Sequence, residues 1–453
     1  MSHRRLLSQN RFGRKMGRAL AVLVLALLAP ATASAVGRDC EVRTGCRSEP
    51  EHLLVPYGFY NESTGVAAAL AFVGAGYLQP QFDLVVNTYA GSNHSYAVFV
   101  LAKDYQMYDQ GRWFVDTKLL NGHWGSINSY QNGNASYTGQ QAGSNNSSKD
   151  NYLETEGYDQ YYRIKFHYLL PIGDGAGADR IIHTYYLNNG ILSPQSASGA
   201  KEWNPFRSGL TNFELEPFYR DQDLTVTHGS TTLPSNDVNP RTSGVTVRLD
   251  YDNTDWPKNP SRGSHTKLSY SHDPGWLNDV PRWTQMSFEF AKFVPLTNTA
   301  NTRQRVLAFD VWTSNIPTWN STEDIDGQTV YERPPVFMGS TLGGLDRQRG
   351  YATNRFNDKA AINYQVEYRH VPTKNPLNRF SLLEPLHIRW IQYVGFVEVG
   401  RVADTWNLDT LHSSMKTSVG VGARVLALGL VVRADLAASE EGPQVQMFIG
   451  QVF

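Results

Sequence analysis

The chain of 453 residues is 41% hydrophobic and 12% aromatic, with 24 Tyr, 20 Phe and 10 Trp, yet only 18% charged. A water-soluble chain of this length is expected to divide into two or three domains of about 150 residues with roughly 25% charge, so the composition points away from that class. Setting aside Arg4, Arg5, Arg11, Arg14, Lys15 and Arg18 near the N-terminus leaves 35 basic residues against 42 acidic ones, a balance of −7 that argues against a nucleic-acid partner.

Residues 1–35 read as a secretory signal peptide. A basic front precedes an apolar run from Ala19 to Leu28, and Ala33-Ser34-Ala35 offers an A-x-A cleavage pattern. Next comes a short periplasmic segment, residues 36–64, in which Cys40 and Cys46 are the only cysteines of the chain. In an oxidising compartment they are expected to close a small ring. With no His or second Cys pair nearby, they do not suggest a metal site.

After Leu28 no apolar stretch reaches the roughly 18 residues of a membrane-spanning helix, so any membrane crossing must be made by strands. Such strands need about 9 to 11 residues that alternate apolar and polar side chains. Tyr161 to Leu170 shows this most clearly, with Arg163, Lys165 and His167 on one face and Tyr162, Ile164, Phe166 and Tyr168 on the other. The alternation recurs near 65–77, 81–91, 94–107, 112–121, 159–170, 180–192, 211–220, 243–252, 264–272, 283–296, 304–314, 360–371, 387–400, 416–427, 429–438 and 444–453.

The expected fold is therefore all-β, a sixteen-stranded antiparallel transmembrane β-barrel over residues 65–453 in a bacterial outer membrane, with both chain ends on the periplasmic side. A soluble β-sandwich would also alternate, but the crowding of Tyr, Phe and Leu on one face and of paired acids and bases on the other favours lipid outside and water inside. Strand parity puts the Asn- and Gly-rich loop 121–158 on the periplasmic side, where short turns are normal. It puts 222–242 and 315–357 on the outer side. The last strand ends on Phe453, which resembles the C-terminal signal by which such barrels reach their insertion machinery, although Gln451 breaks a clean aromatic pattern.

Four segments of the second half carry a further likeness. Leu345-Asp346-Arg347-Gln348-Arg349-Gly350-Tyr351 resembles a (Val/Ile)-Arg-Gly-(Phe/Tyr) loop motif, with Gln348 in place of the aliphatic residue. Gln365-Val366-Glu367-Tyr368-Arg369 is similar to an E-Y-R strand, Phe396-Val397-Glu398-Val399-Gly400 to an F-x-D-x-G strand, and Asp250 to Gly263 to an Asp-rich periplasmic turn. In this order they resemble the barrel of the BamA/TamA-type bacterial surface antigen superfamily of outer-membrane assembly and translocation proteins. About 17 residues separate Ala35 from Leu53, so the resemblance implies a member without the soluble periplasmic domains.

The family pattern folds the outer loop back into the barrel. Arg349 would then meet Glu367 and Glu398, which share inward parity on neighbouring strands. A planar guanidinium fork can serve two carboxylates where a lysine cannot. Gly350 would permit a tight turn, and Tyr351 would pack or hydrogen-bond against the wall.

The implied role is support for translocation or insertion of a protein or lipid at the outer membrane. The alternatives are a pore for small solutes and a surface-exposed interaction scaffold. Partners would be outer-membrane lipids, the barrel assembly machinery during biogenesis, and an unknown client or periplasmic partner. No catalytic residue, cofactor or metal is expected. Asp324-Ile325-Asp326-Gly327 lacks the remaining ligands of a calcium loop, Gly339 to Gly343 has the wrong spacing for a nucleophile elbow, and Asn93-His94-Ser95 places its groups on opposite faces.

Overall fold

The computed structural model describes residues 37–46, 49–61, 63–131, 133–137, 139–177, 181–194, 199–229, 239–277, 280–427 and 429–453. The expected signal peptide lies outside them. Sixteen strands form one antiparallel sheet in which each strand pairs with the next in the chain. They are β1 Glu51–Asn61, β2 Gly65–Ala75, β3 Asp83–Gly91, β4 Tyr96–Gln106, β5 Trp113–Ser129, β6 Leu153–Leu169, β7 Leu210–His228 and β8 Arg241–Thr254. Then follow β9 Gly263–Asp273, β10 Trp283–Pro295, β11 Thr302–Asn315, β12 Ala360–Pro372, β13 Trp390–Ala403, β14 Lys416–Ala427, β15 Leu430–Ser439 and β16 Gly442–Ile449.

The alternation in the sequence sets the two faces. On β7, Asn212, Glu214 and Glu216 are buried while Phe213 and Leu215 are exposed. Elsewhere Leu249, Leu268, Phe288, Phe309, Val366, Val397, Val421 and Leu436 are exposed, whereas Asp250, Asn363, Glu367, Glu398, Arg424 and Asp435 are buried. Apolar outside and charged inside is the reverse of a water-soluble core, and it is the pattern a sheet in lipid requires.

The sheet curls, since Leu430 and Val432 of β15 pack against a cluster of Phe59, Ala67, Ala69, Val85, Phe99 and Leu120 drawn from β1 to β5. Among the described residues β1 and β16 are the two edges, with no ladder between them. The enclosed face carries matched charges: Lys165 meets Glu214 at 3.3 Å, Arg163 meets Glu216 at 3.1 Å, and Lys267 meets Glu289 at 2.8 Å.

Two assignments made from sequence are corrected. Glu51–Asn61, left in the N-terminal segment by the sequence reading, is the first strand of the sheet. Of the strand expected over 180–192, the described residues 181–192 are not in that sheet. Within them His183–Asn188 pairs in parallel with Gly37–Glu41, and Gly45–Cys46 and Ile191–Leu192 complete a separate four-stranded sheet.

The strand count stays at sixteen, but parity is reversed for everything between the two errors. The long Asn-rich loop, trimmed to 130–152 because β5 and β6 run to Ser129 and from Leu153, therefore lies at the end away from the chain termini. There it meets the 316–359 loop, where Asn357 N donates to Gly143 O at 2.8 Å. The misplacement on the periplasmic side is thus a consequence of strand bookkeeping.

At the terminal end the small sheet packs through Tyr185 and Leu187 against Trp256, Val371, Trp390, Leu426 and Val431. Cys40 and Cys46 are disulfide-bonded. Asp39 accepts from Trp256 Nε1 at 3.0 Å and from Lys258 Nζ at 2.8 Å, which ties the segment to the turn after β8. That turn is built by Asp255, whose carboxylate accepts from the backbone of Trp256, Ser261 and Arg262 at 3.1, 2.8 and 3.2 Å. Gly263 closes it at φ +101°, where a Cβ would stand 2.0 Å from Asn253 O. Trp390 Nε1 donates to Gly190 O at 2.6 Å, clamping the other side of the small sheet.

Candidate functional site

Residues 316–359, which join β11 to β12, fold inward. Ser340–Leu342 and Phe356–Asp358 form a short hairpin ladder, and the chain between them carries Arg349 to a place where none of its side chain is exposed. Leu342, Tyr351 and Phe356 anchor this turn against Trp312, Ala361 and Val402 on β11, β12 and β13.

Arg349 meets three carboxylates from three strands. Its Nη2 lies 2.9 Å from Glu367 Oε1 on β12, its Nε 2.8 Å from Glu398 Oε1 on β13, and its Nη1 2.8 Å from Asp435 Oδ2 on β15. The backbone N of Arg349 also donates to Glu398 Oε2 at 2.5 Å, and the guanidinium carbon sits 3.4 Å from the centre of the Phe396 ring. Burial disfavours the charged form, but Glu398, Glu367 and Asp435 outweigh it and hold Arg349 above the ordinary arginine range.

The next residues complete the seat. Gly350 N donates to Ser418 Oγ at 2.8 Å, Gly350 O accepts from Ser439 Oγ at 2.7 Å, and Arg349 O accepts from Gln446 Nε2 at 2.9 Å. The glycine is required by proximity, since a Cβ there would lie 2.8 Å from the backbone of Ala438. Gly350 sits in a tight turn that Tyr351 N closes by donating to Gln348 O at 3.0 Å, and the left-handed residue there is Gln348, at φ 55°. Gln348 Nε2 donates to Asn363 Oδ1 at 3.0 Å, one of the polar contacts that hold it in place of an aliphatic residue. Tyr351 donates from its hydroxyl to Thr417 O at 3.3 Å and meets Phe356 edge-on at 5.0 Å; burial pushes its phenol up to about 12.

The structure thus brings Arg349, Gly350, Tyr351, Glu367 and Glu398 into one cluster. The sequence reading missed Asp435 and three further arginines. Arg424 Nη2 lies 2.7 Å and Arg369 Nε 2.8 Å from Glu367, and Arg433 Nη2 donates to Leu345 O at 2.7 Å. Four guanidinium groups against three carboxylates make a buried lattice in which Glu367 is shared three ways. Inward parity on 416–427 and 429–438 was the available signal, because Arg424, Arg433 and Asp435 all fall on the same face as Ser418.

Two other sequence-predicted sites lie apart. Cys40 and Cys46 belong to the small sheet at the opposite end. The strand expected over 444–453 is shorter than its sequence suggests. The last strand ends at Ile449, and the chain turns in so that Val452 and Phe453 are buried against Ala291, Phe293, Val306 and Ala308 of β10 and β11. Phe453 stacks on Phe293 with centroids 6.1 Å apart, and Arg369 stands 5.0 Å from its ring. An aromatic side chain in that apolar patch is better buried than on a short edge strand. The 324–327 segment is an exposed hairpin turn, with Gly327 N donating to Asp324 Oδ1.

No protein-family model matches the chain, and no curated protein does. Among solved structures it is similar to BamA from Haemophilus ducreyi lacking POTRA domains 1–3, with 12% identity over 97% of this chain and 77% of that one at a TM-score of 0.45. It is also similar to CdiB from Acinetobacter baumannii, with 10% identity over 88% of this chain and 58% of that one at 0.48. The third is CdiB from Escherichia coli, with 10% identity over 89% and 62% at 0.49. The chain spans about three fifths of the length of the two CdiB structures.

Proposed function

We propose that the sheet closes into a sixteen-stranded outer-membrane β-barrel of the BamA/TamA type and supports insertion or translocation of a protein or lipid client. In this reading outer-membrane lipids face Leu249, Leu268 and their neighbours, and the barrel assembly machinery delivers the chain. The inward loop is a seat that holds the interior closed until it is released. The observation that carries it is the fully buried Arg349 bridging β12, β13 and β15, beside the β16 edge. A loop fixed only for stability would be served as well by apolar packing, since buried ion pairs are often matched by hydrophobic substitutes.

Planar-bilayer recording tests the reading. Intact protein is expected to conduct weakly and Arg349→Ala strongly. Liposome swelling with graded sugars tests the rival: rapid, size-limited uptake by the unaltered protein would establish a pore for small solutes and overturn the closed-loop reading.

A further inference from the structure

We infer that Asp104, Asp116 and His167 form a binding site for a divalent transition-metal ion on the inner wall of the sheet, below the Arg349 seat and independent of it. Three adjacent strands contribute. Between Ala102 and Tyr105 the β4–β5 ladder slips by one residue, so that Lys103 and Asp104 together oppose Asp116. Such a bulge re-aims a side chain, and here Asp104 sits at φ 62° and is buried. His167 comes from β6, 0% exposed, with its ring stacked on Phe114 at 5.3 Å.

Ligand atoms of the three residues all lie within 4.8 Å of one another. His167 Nε2 is 3.4 Å from Asp116 Oδ1, close to the ~3.4 Å edge of a tetrahedron whose ligand bonds are about 2.1 Å. Two facts point to a ligand rather than to a plain ion pair. Neither ring nitrogen of His167 has a hydrogen-bond partner, and neither does Asp104 Oδ1. A buried imidazole that faces a carboxylate oxygen at 3.4 Å without making a hydrogen bond to it is costly. An ion accepting lone pairs from Asp104 Oδ1, Asp116 Oδ1 and His167 Nε2 gives a partner to two of these three unpartnered atoms at once.

The surroundings leave the site usable. Asp116 Oδ1 also accepts from Asp104 N at 2.8 Å, while Oδ2 takes Lys165 Nζ at 2.9 Å, and Lys165 is held in turn by Glu214. The lysine therefore keeps its partners when Oδ1 coordinates. Asp116 lines a charged cavity of about 250 Å³ inside the sheet, and Asp104 lines a second one of about 100 Å³ at the terminal end. The site stands between the two and can be reached from the interior. One imidazole with two carboxylates suits zinc and its neighbours, which accept mixed nitrogen and oxygen ligands, better than calcium, which takes six to eight oxygens.

The test uses the full-length protein purified in detergent, stripped with chelator and dialysed against Zn²⁺, with bound metal measured by mass spectrometry. One zinc per chain is expected, with affinity falling at least tenfold in Asp104→Asn and in His167→Phe, which keeps the stack on Phe114. His265→Gln, altering another buried histidine, is expected to bind like the parent. Unchanged binding in Asp104→Asn or His167→Phe, or loss in His265→Gln alone, overturns the assignment. Titration of the unaltered protein with Co²⁺ needs no variant: a visible band of tetrahedral nitrogen–oxygen coordination at one equivalent is expected, and its absence overturns the site. Neither readout depends on what the barrel transports.

Discussion

Replacing Arg349 with alanine removes three side-chain ion pairs at 2.8 to 2.9 Å and leaves their carboxylates inside the sheet. The cost is unequal among them. Glu367 keeps Arg424 and Arg369, and Asp435 keeps Arg433 at 3.7 Å. Glu398 loses its only ion-pair partner among the described residues and retains the backbone N of residue 349 only while the loop stays seated. Breaking a buried pair by removing one member costs about 3–5 kcal/mol. At about 1.4 kcal/mol per tenfold, the closed-to-open ratio of the loop falls by between roughly two and four powers of ten. The sheet itself keeps every ladder, so the expected result is an opened interior in a folded protein. Planar-bilayer recording is expected to show a large rise in single-channel conductance for Arg349→Ala and a smaller one for Arg349→Lys, whose ammonium cannot reach three acids in a plane. Removing both charges, with Arg349→Met and Glu398→Gln together, is expected to restore part of the closure. Unchanged conductance in a folded Arg349→Ala protein would refute the reasoning.

Gly350→Ala places a methyl 2.8 Å from the Ala438 backbone, and overpacking of that kind costs about 1–3 kcal/mol; thermal unfolding is expected to show a lower first transition and recording a leakier channel. Leu268→Arg puts a charge on the exposed apolar face and is expected to lower stability in bilayers by about 2–4 kcal/mol, while Ser287→Lys, lining the interior cavity, is expected to change it little; equal effects would contradict the inside-out pattern. Tyr351, with its phenol raised from 10 to about 12, favours the seated loop fully below pH 10 and loses that contribution as pH climbs through 12. Conductance is therefore expected to rise across that window in the parent, with the rise diminished in Tyr351→Phe. Lys258→Ala removes the 2.8 Å contact to Asp39 and is expected to speed proteolysis near residues 43–50 without opening the Arg349 seat.

Alternation made most of the sheet legible, because a strand with one apolar and one charged face has no freedom to place its charges elsewhere. The failures have local causes. Glu51–Asn61 carries Pro56, and β1 is an edge of the described sheet, the place in a sheet where a proline is tolerated. The His183–Asn188 stretch looks like a membrane strand in its aromatic and apolar content, but it spans six residues and pairs with the N-terminal segment. Arg349, Glu367 and Glu398 were legible from motif and parity together. Asp435 was legible only in its inward parity, since it lies 86 residues from Arg349 and belongs to no motif; the curl of the sheet brings β15 to the loop. The last strand was extended to Phe453 because its apolar content continues past Ile449, whereas burial against Phe293 turns the tail in.

The 316–359 loop covers the inner wall at Ser418. Ser418, fully buried on β14 beneath Gly350, tests this directly once replaced by cysteine, as both native cysteines are bonded to each other. A membrane-impermeant thiol reagent is expected to leave Ser418→Cys unmodified, to modify the exposed Tyr331→Cys quickly, and to modify Ser418→Cys once Arg349→Ala is added. Rapid modification of Ser418→Cys with Arg349 intact would contradict the account.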